Sequence, residues 1–226
     1  MALMGPSKNL YGNGDLVVRK TNWILREILY RVFELGEVFM TQRSLAEACG
    51  CSLDAANRMV GRLESFGAVE KRPFGFRVSQ PKKVLLYWAA TRNLRSDLVY
   101  STYSPEPVEE IEGMLPPGSI LTAFSGCRQK FPDLPPPPAV YAYSETEKVR
   151  GVFPEREADP NLFILRPDPH LSKLGSCPIA QLYVDLWQLG DPLAERYLTR
   201  LEEVLERRVL DSFKKLVETF KNERET

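Results

Sequence analysis

The feature that most restricts this chain is a run of helix punctuation between Thr41 and Gly67, in which a capping hydroxyl, an apolar stripe and a closing glycine occur twice in succession. Thr41 is a natural N-cap for a helix over Gln42–Cys49, whose Leu45, Ala46 and Cys49 face one side. Gly50 ends that helix where a left-handed residue is cheap. After a tight turn, Ser52 caps a longer helix through Phe66, with Ala56, Val60, Leu63 and Phe66 on its inner stripe and Gly67 at its close. Upstream, Trp23, Ile24, Ile28, Leu29, Val32 and Phe33 repeat at helical spacing until Gly36. Downstream, residues 68–72 and 76–79 read as a β-hairpin turning at Pro73-Phe74-Gly75. Pro81 then opens a fourth helix over Lys82–Asn93, with Val84, Leu85, Tyr87, Trp88 and Leu94 inward.

The texture changes after Arg95. Residues 98–103 read as a strand, and residues 107–115 as a short acidic helix with Glu109, Glu110 and Glu112 outward. Ser119–Phe131 carries Ile120, Leu121, Phe124 and Cys127 at helical spacing. Five prolines between Pro132 and Pro138 exclude a helix or a central strand there, so that stretch is a connector. Residues 139–143 and 161–165 are the expected buried strands, separated by a charged, partly helical segment. Pro178–Leu189 reads as a helix with Ile179, Leu182, Tyr183, Leu186 and Trp187 inward. A long amphipathic helix closes the chain on a stripe of Leu193, Tyr197, Leu201, Val204, Leu205, Phe213, Leu216 and Phe220. A length of 226 residues exceeds the usual single domain, which predicts two domains, 16–95 and 96–226.

Composition removes several classes. With 43% apolar and 27% charged residues the chain is not disordered as a whole. No apolar run is long enough for a spanning helix, and the start Met1–Pro6 is too short for a secretory signal, so a cytoplasmic protein without a membrane partner is expected. Cys49, Cys51, Cys127 and Cys177 form no C-x-x-C pair and read as small buried thiols; His170, in an Asp168-Pro169-His170 loop, is the one histidine. No metal site and no cofactor are expected. Asp185 stands in an apolar helix and is expected to pair with an arginine, Arg128 or Arg166.

The formal net charge of zero conceals a split. Residues 1–95 hold 15 Lys and Arg against 8 Asp and Glu, and residues 96–226 hold 15 against 22, so the halves carry +7 and −7. A local basic surface is what phosphate neutralisation requires. Helix, helix, glycine turn, helix and hairpin in this order resemble a winged helix-turn-helix domain, through the pattern T-x-x-x-L-A-x-x-x-G-C-S-x-x-x-A-x-x-x-V-x-x-L-x-x-x-G from Thr41 to Gly67. In that arrangement the second helix of the pair presents its outer face to the major groove of duplex DNA. Asn57, Arg58, Arg62 and Asp54 are then the base-contact candidates, with Asp54 favourable only where it accepts from a cytosine amino group. Gln42, Arg43 and Ser52 at helix N-termini, Lys71, Arg72 and Arg77 on the hairpin, and Lys82 and Lys83 opening the fourth helix are the phosphate-contact candidates.

In the second half, residues 118–125 (GSILTAFS), 139–143 (AVYAY), 161–165 (NLFIL) and 177–186 (CPIAQLYVDL) resemble the C-terminal domain of AbiEi-type antitoxins. That family has an N-terminal winged helix. The resemblance implies an α+β protein: a winged helix-turn-helix domain followed by an inert nucleotidyltransferase-like domain and a long C-terminal helix. It also implies autorepression of a toxin-antitoxin operon and a separate nucleotidyltransferase-type toxin as partner. Ser125-Gly126-Cys127-Arg128 imitates the Gly-Ser element of active nucleotidyltransferases, but the paired metal-binding acids have no counterpart, since Asp133 precedes the prolines and Glu145 follows the strand. A nucleotidyltransferase enzyme and a protein-binding winged-helix adaptor are the rival readings. The terminal helix is a candidate for homodimerisation.

Overall fold

The protein, seen in a computed structural model, is described over residues 14–222, with side chains from 20 to 211 and at 214. Phe213, Leu216 and Phe220 of the expected terminal stripe lie outside the described side chains. The fold is mixed α+β with a long C-terminal helix.

Helix α1 (Gly14–Tyr30) continues into a π-helical turn, Arg31–Leu35, and stops at Gly36, whose φ of 74° is left-handed. Helix α2 (Gln42–Cys49) is capped by Thr41, whose hydroxyl accepts from the Ser44 amide at 3.0 Å. Gly50 turns the chain at φ 56°, and Ser52 accepts from the Ala55 amide at 3.2 Å to start α3 (Leu53–Ser65). Strands β2 (Val69–Arg72) and β3 (Gly75–Val78) form the hairpin. A two-residue strand, β1 (Phe39–Met40), pairs with β3 and completes a three-stranded antiparallel sheet in the order β1-β3-β2. Two residues carry no period, so β1 left no mark on the sequence pattern. Helix α4 (Pro81–Thr91) follows, and residues 95 and 96 fall inside a 3-10 turn, Leu94–Asp97.

The second half is built on a four-stranded mixed sheet in the order β4-β7-β6-β5. Strand β4 (Leu98–Thr102) is antiparallel to β7 (Leu162–Leu165), β7 is parallel to β6 (Val140–Tyr143), and β5 (Ile120–Thr122) is antiparallel to β6. Helices α5 (Val108–Met114) and α6 (Ala123–Lys130) flank β5, and α7 (Thr146–Val152) makes the crossover between the parallel strands. Helices α8 (Pro169–Leu174), α9 (Ile179–Trp187) and α10 (Ala194–Asn222) complete the chain.

Several expectations are corrected. Ser119–Phe131 is not one helix: Ile120 pairs with Tyr143 and Thr122 with Tyr141, and a positive φ of 49° at Ala123 marks the junction where α6 begins. An apolar run of that length fits either period, and pairing to β6 decided it. His170 is not in a loop but buried in α8, whose cap is Asp168, accepting from the Leu171 amide at 2.7 Å. Glu112 does not point outward; it is half-buried beside Ser125, and burial raises its pKa. Trp187 is 44% exposed rather than inward, because α9 ends there. Tyr87 is half-buried and lies against Phe66, with ring centroids 5.4 Å apart.

The halves share one apolar core. Residues 179–186 of α9 are buried throughout, and α9 packs on α1, α4, α6 and α10. Where α1 meets α8 and α9 the contact is polar: buried Arg26 donates to both Asp168 oxygens, at 2.9 and 2.8 Å, and through Nε to Gln181 at 2.8 Å. Arg26 Nη1 also lies 3.1 Å from His170 Nδ1, and His170 Nε2 lies 2.9 Å from Glu27. A guanidinium has no acceptor, so the tautomer with hydrogen on Nε2 satisfies both contacts. Asp185 pairs with neither Arg128, which bonds Glu109 at 2.6 Å, nor Arg166. Its partners are Arg92 at 3.4 Å, Thr122 at 2.7 Å, Tyr143 at 2.6 Å and Gln181 at 2.7 Å. Burial and the Asp185 charge together push the Tyr143 phenol well above its usual pKa.

Candidate nucleic-acid interface

Helix α3 is two-faced for reasons visible in its residues. Ala56, Met59, Val60 and Leu63 are buried against the rest of the N-terminal half, at intervals that place them on one side. Asp54, Asn57, Arg58 and Arg62 lie opposite and are exposed. All four base-contact candidates therefore share the open side of one helix, and among the described residues none beyond Tyr87 lines the grooves along it. Arg58 is ion-paired with Asp54 one turn back, so Asp54 screens the arginine rather than standing free. Arg62 makes no ion pair among the described residues.

The phosphate candidates divide. Ser52 is exposed but its hydroxyl caps α3; Gln42 and Arg43 sit in the first turn of α2, half-buried and exposed respectively. On the hairpin, Lys71 pairs with Glu64 of α3 at 2.6 Å, while Arg72 and Arg77 both pair with Glu70, at 2.6 and 2.8 Å. Desolvation of Glu70 is outweighed by these two guanidiniums acting together, and its carboxyl lies below the usual range. Lys82 faces Glu206 of α10 at 3.2 Å, and Lys83 donates to the Phe66 carbonyl at the C-terminal end of α3, at 3.0 Å. These pairs are solvent-exposed and weak, and a phosphate can exchange with the carboxylate.

The structure adds two residues that sequence reasoning passed over. Lys20 of α1 joins Thr21, Ser52, Arg58, Arg62 and Tyr87 around an open groove beside α3. Its sequence signal was absent because the helical pattern of α1 was read from Trp23 onward. Phe74, read only as a turn residue, is the hairpin tip and is almost wholly exposed. In the second half, residues 139–143, expected from the sequence to lack paired metal-binding acids, lie in and beside β6, where Val140, Ala142 and Tyr143 are buried. Asp133 faces Arg200 at 3.7 Å and Glu145 faces Lys148 at 2.8 Å. Among the described residues no helix is long and apolar enough to cross a membrane. No protein-family model, curated protein or solved structure matches the chain.

Proposed function

We propose that this protein is a sequence-specific regulator that binds duplex DNA through a winged helix-turn-helix, with α3 in the major groove and the β2–β3 hairpin as the wing. The observation that carries the reading is the open face of α3, which sets Asn57, Arg58 and Arg62 together on a helix anchored behind by Ala56, Met59, Val60 and Leu63. Arginine matches the guanine O6/N7 edge and asparagine the adenine N6/N7 edge, so these side chains have base partners available in a groove about 12 Å wide. Arg43, Lys20 and the hairpin cations supply phosphate contacts around them. The alternation of α5, β5, α6, β6, α7 and β7 supports a nucleotidyltransferase-like second domain. Its apolar β6 favours a regulatory over a catalytic role for that domain. Its resemblance to AbiEi-type antitoxins extends the proposal to autorepression, with a nucleotidyltransferase-type toxin as partner and α10 as a candidate dimer helix.

The test is a binding-site selection from random duplexes with the full chain, followed by titration of the enriched sequence. Arg58→Ala and Arg62→Ala should each weaken specific binding by about 1–3 kcal/mol and relax the base preference, whereas Lys71→Ala should weaken every sequence alike and flatten the salt dependence. Unchanged affinity and preference in the Arg58, Arg62 double variant would falsify the placement of α3.

A further inference from the structure

Phe74 stands out on the surface of this protein. It is 93% exposed, well beyond the next most exposed large apolar side chain described, Leu210 at 61%. Its backbone is also unusual, with a φ of 67° in the left-handed region that bulky residues rarely occupy. Arg72 pairs with Gly75 across the hairpin, so Pro73-Phe74 is a two-residue loop, and proline ahead of a positive φ makes a type II turn. The position after that proline favours glycine or asparagine. An aromatic there strains the backbone, exposes a ring to water and gains no packing; folding alone gives no reason for it.

The surroundings show what the ring faces. A Cβ on the neighbouring Gly75 would sit 2.5 Å from the Met40 carbonyl oxygen and 2.9 Å from the Phe39 ring, so the base of the tip is clamped on β1 while Phe74 is held clear. Exposed Lys71 and Arg72 precede it. Lys71 ties the hairpin to Glu64 near the C-terminal end of α3. From there β2 rises about 3.3 Å per residue, which carries the tip residue about 10 Å beyond Lys71.

We propose that Phe74 is an aromatic wedge that enters the minor groove, unstacks one base step and bends the duplex. The proposal rests on the DNA-binding reading above. An apolar side chain between base pairs is repaid by the wider protein surface that the bent duplex then covers, and the flanking cations hold the phosphates on either side. A single ring buries too little apolar surface to hold a protein on a bilayer, whereas one ring is enough to part a base step.

The experiment uses the full chain and duplexes it enriches from a random pool, labelled at both ends for energy transfer and carrying 2-aminopurine at successive positions. Wild type should shorten the end-to-end distance and brighten 2-aminopurine at a single step outside the bases that respond to Arg58→Ala. Phe74→Ala and Phe74→Gly should lose both signals and about tenfold in affinity while keeping the base preference. Phe74→Trp should retain them. Phe74→Gly should melt at or above the wild-type temperature, which separates a loss of wedging from a loss of fold. Equal bending and unstacking by Phe74→Ala and wild type overturns the wedge, and so does a Phe74→Ala defect confined to sedimentation with phosphatidylserine vesicles or to capture by a protein partner. If the pool yields no enriched duplex, the DNA-binding reading fails and the wedge with it; if it does and the Phe74 variants stay silent, the wedge alone fails.

Discussion

Arg26 and Asp168 illustrate how a single pair of residues joins the two halves. Burial opposes ionisation of Asp168, but the Arg26 charge and its two hydrogen bonds outweigh it and hold the carboxyl below the usual aspartate range. Glu27, bonded by His170 and Arg31 against its own desolvation, is lowered in the same way. Both carboxylates bind protons more weakly in the folded chain than in the unfolded one. Their stabilisation is therefore complete above about pH 5 and is lost as pH falls through the depressed folded values. Denaturant titrations between neutral pH and about pH 3 should show this decline. Asp168→Asn should be less stable at neutral pH but show a shallower acid slope; an unchanged slope would place the acid sensitivity elsewhere. Nothing in the sequence pairs Arg26 with Asp168, because 142 positions separate them.

At the scale of elements, α6 shows how closely one helix is fitted to its neighbours. A Cβ on Gly126 would lie 2.6 Å from the Leu182 side chain of α9 and 2.7 Å from the Leu121 carbonyl oxygen of β5. The backbone oxygen cannot move aside without disturbing the β5–β6 pairing, so Gly126→Ala should destabilise the fold by about 1–3 kcal/mol, read by thermal or urea unfolding. Gly113 of α5 is the control, with open space at its Cβ position beyond its own helix. Gly113→Ala should be neutral or stabilising by up to about 1 kcal/mol. A Gly126→Ala variant as stable as wild type would mean that α6 can slide on the sheet. The Ser-Gly of this helix imitates a catalytic element in sequence, yet in the fold Gly126 serves a close approach between backbone and helix.

For the molecule as a whole, the decisive feature is continuity of the core. Helix α9 presents buried residues to both halves, and Arg208 of α10 bonds Glu34 at 2.6 Å and the Phe33 carbonyl at 3.0 Å, at the end of α1. Halves that share apolar and buried polar contacts lose them together. Calorimetry of the full chain should therefore give one transition with matching calorimetric and van't Hoff enthalpies, and two resolved transitions would contradict a shared core. Helix α1 carries the same continuity from α3 to the second half, since it packs on α3, on α4 and on α9.

Local chemistry was legible in the chain itself. Thr41, Gly50, Ser52 and Pro81 mark helix ends through their own hydroxyls, glycine backbones and ring, and the structure has each element where they placed it. The exposed face of α3 followed from the same periodicity, since a stripe of buried residues defines its opposite. Distant pairing was not legible. Whether Ile120–Thr122 is strand or helix depends on β6, whether Asp185 meets Arg92 or another arginine depends on how α4 crosses α9, and His170 became interior because α1 covers it. These are energies of contact between segments far apart in sequence, and they exist only once the segments have met.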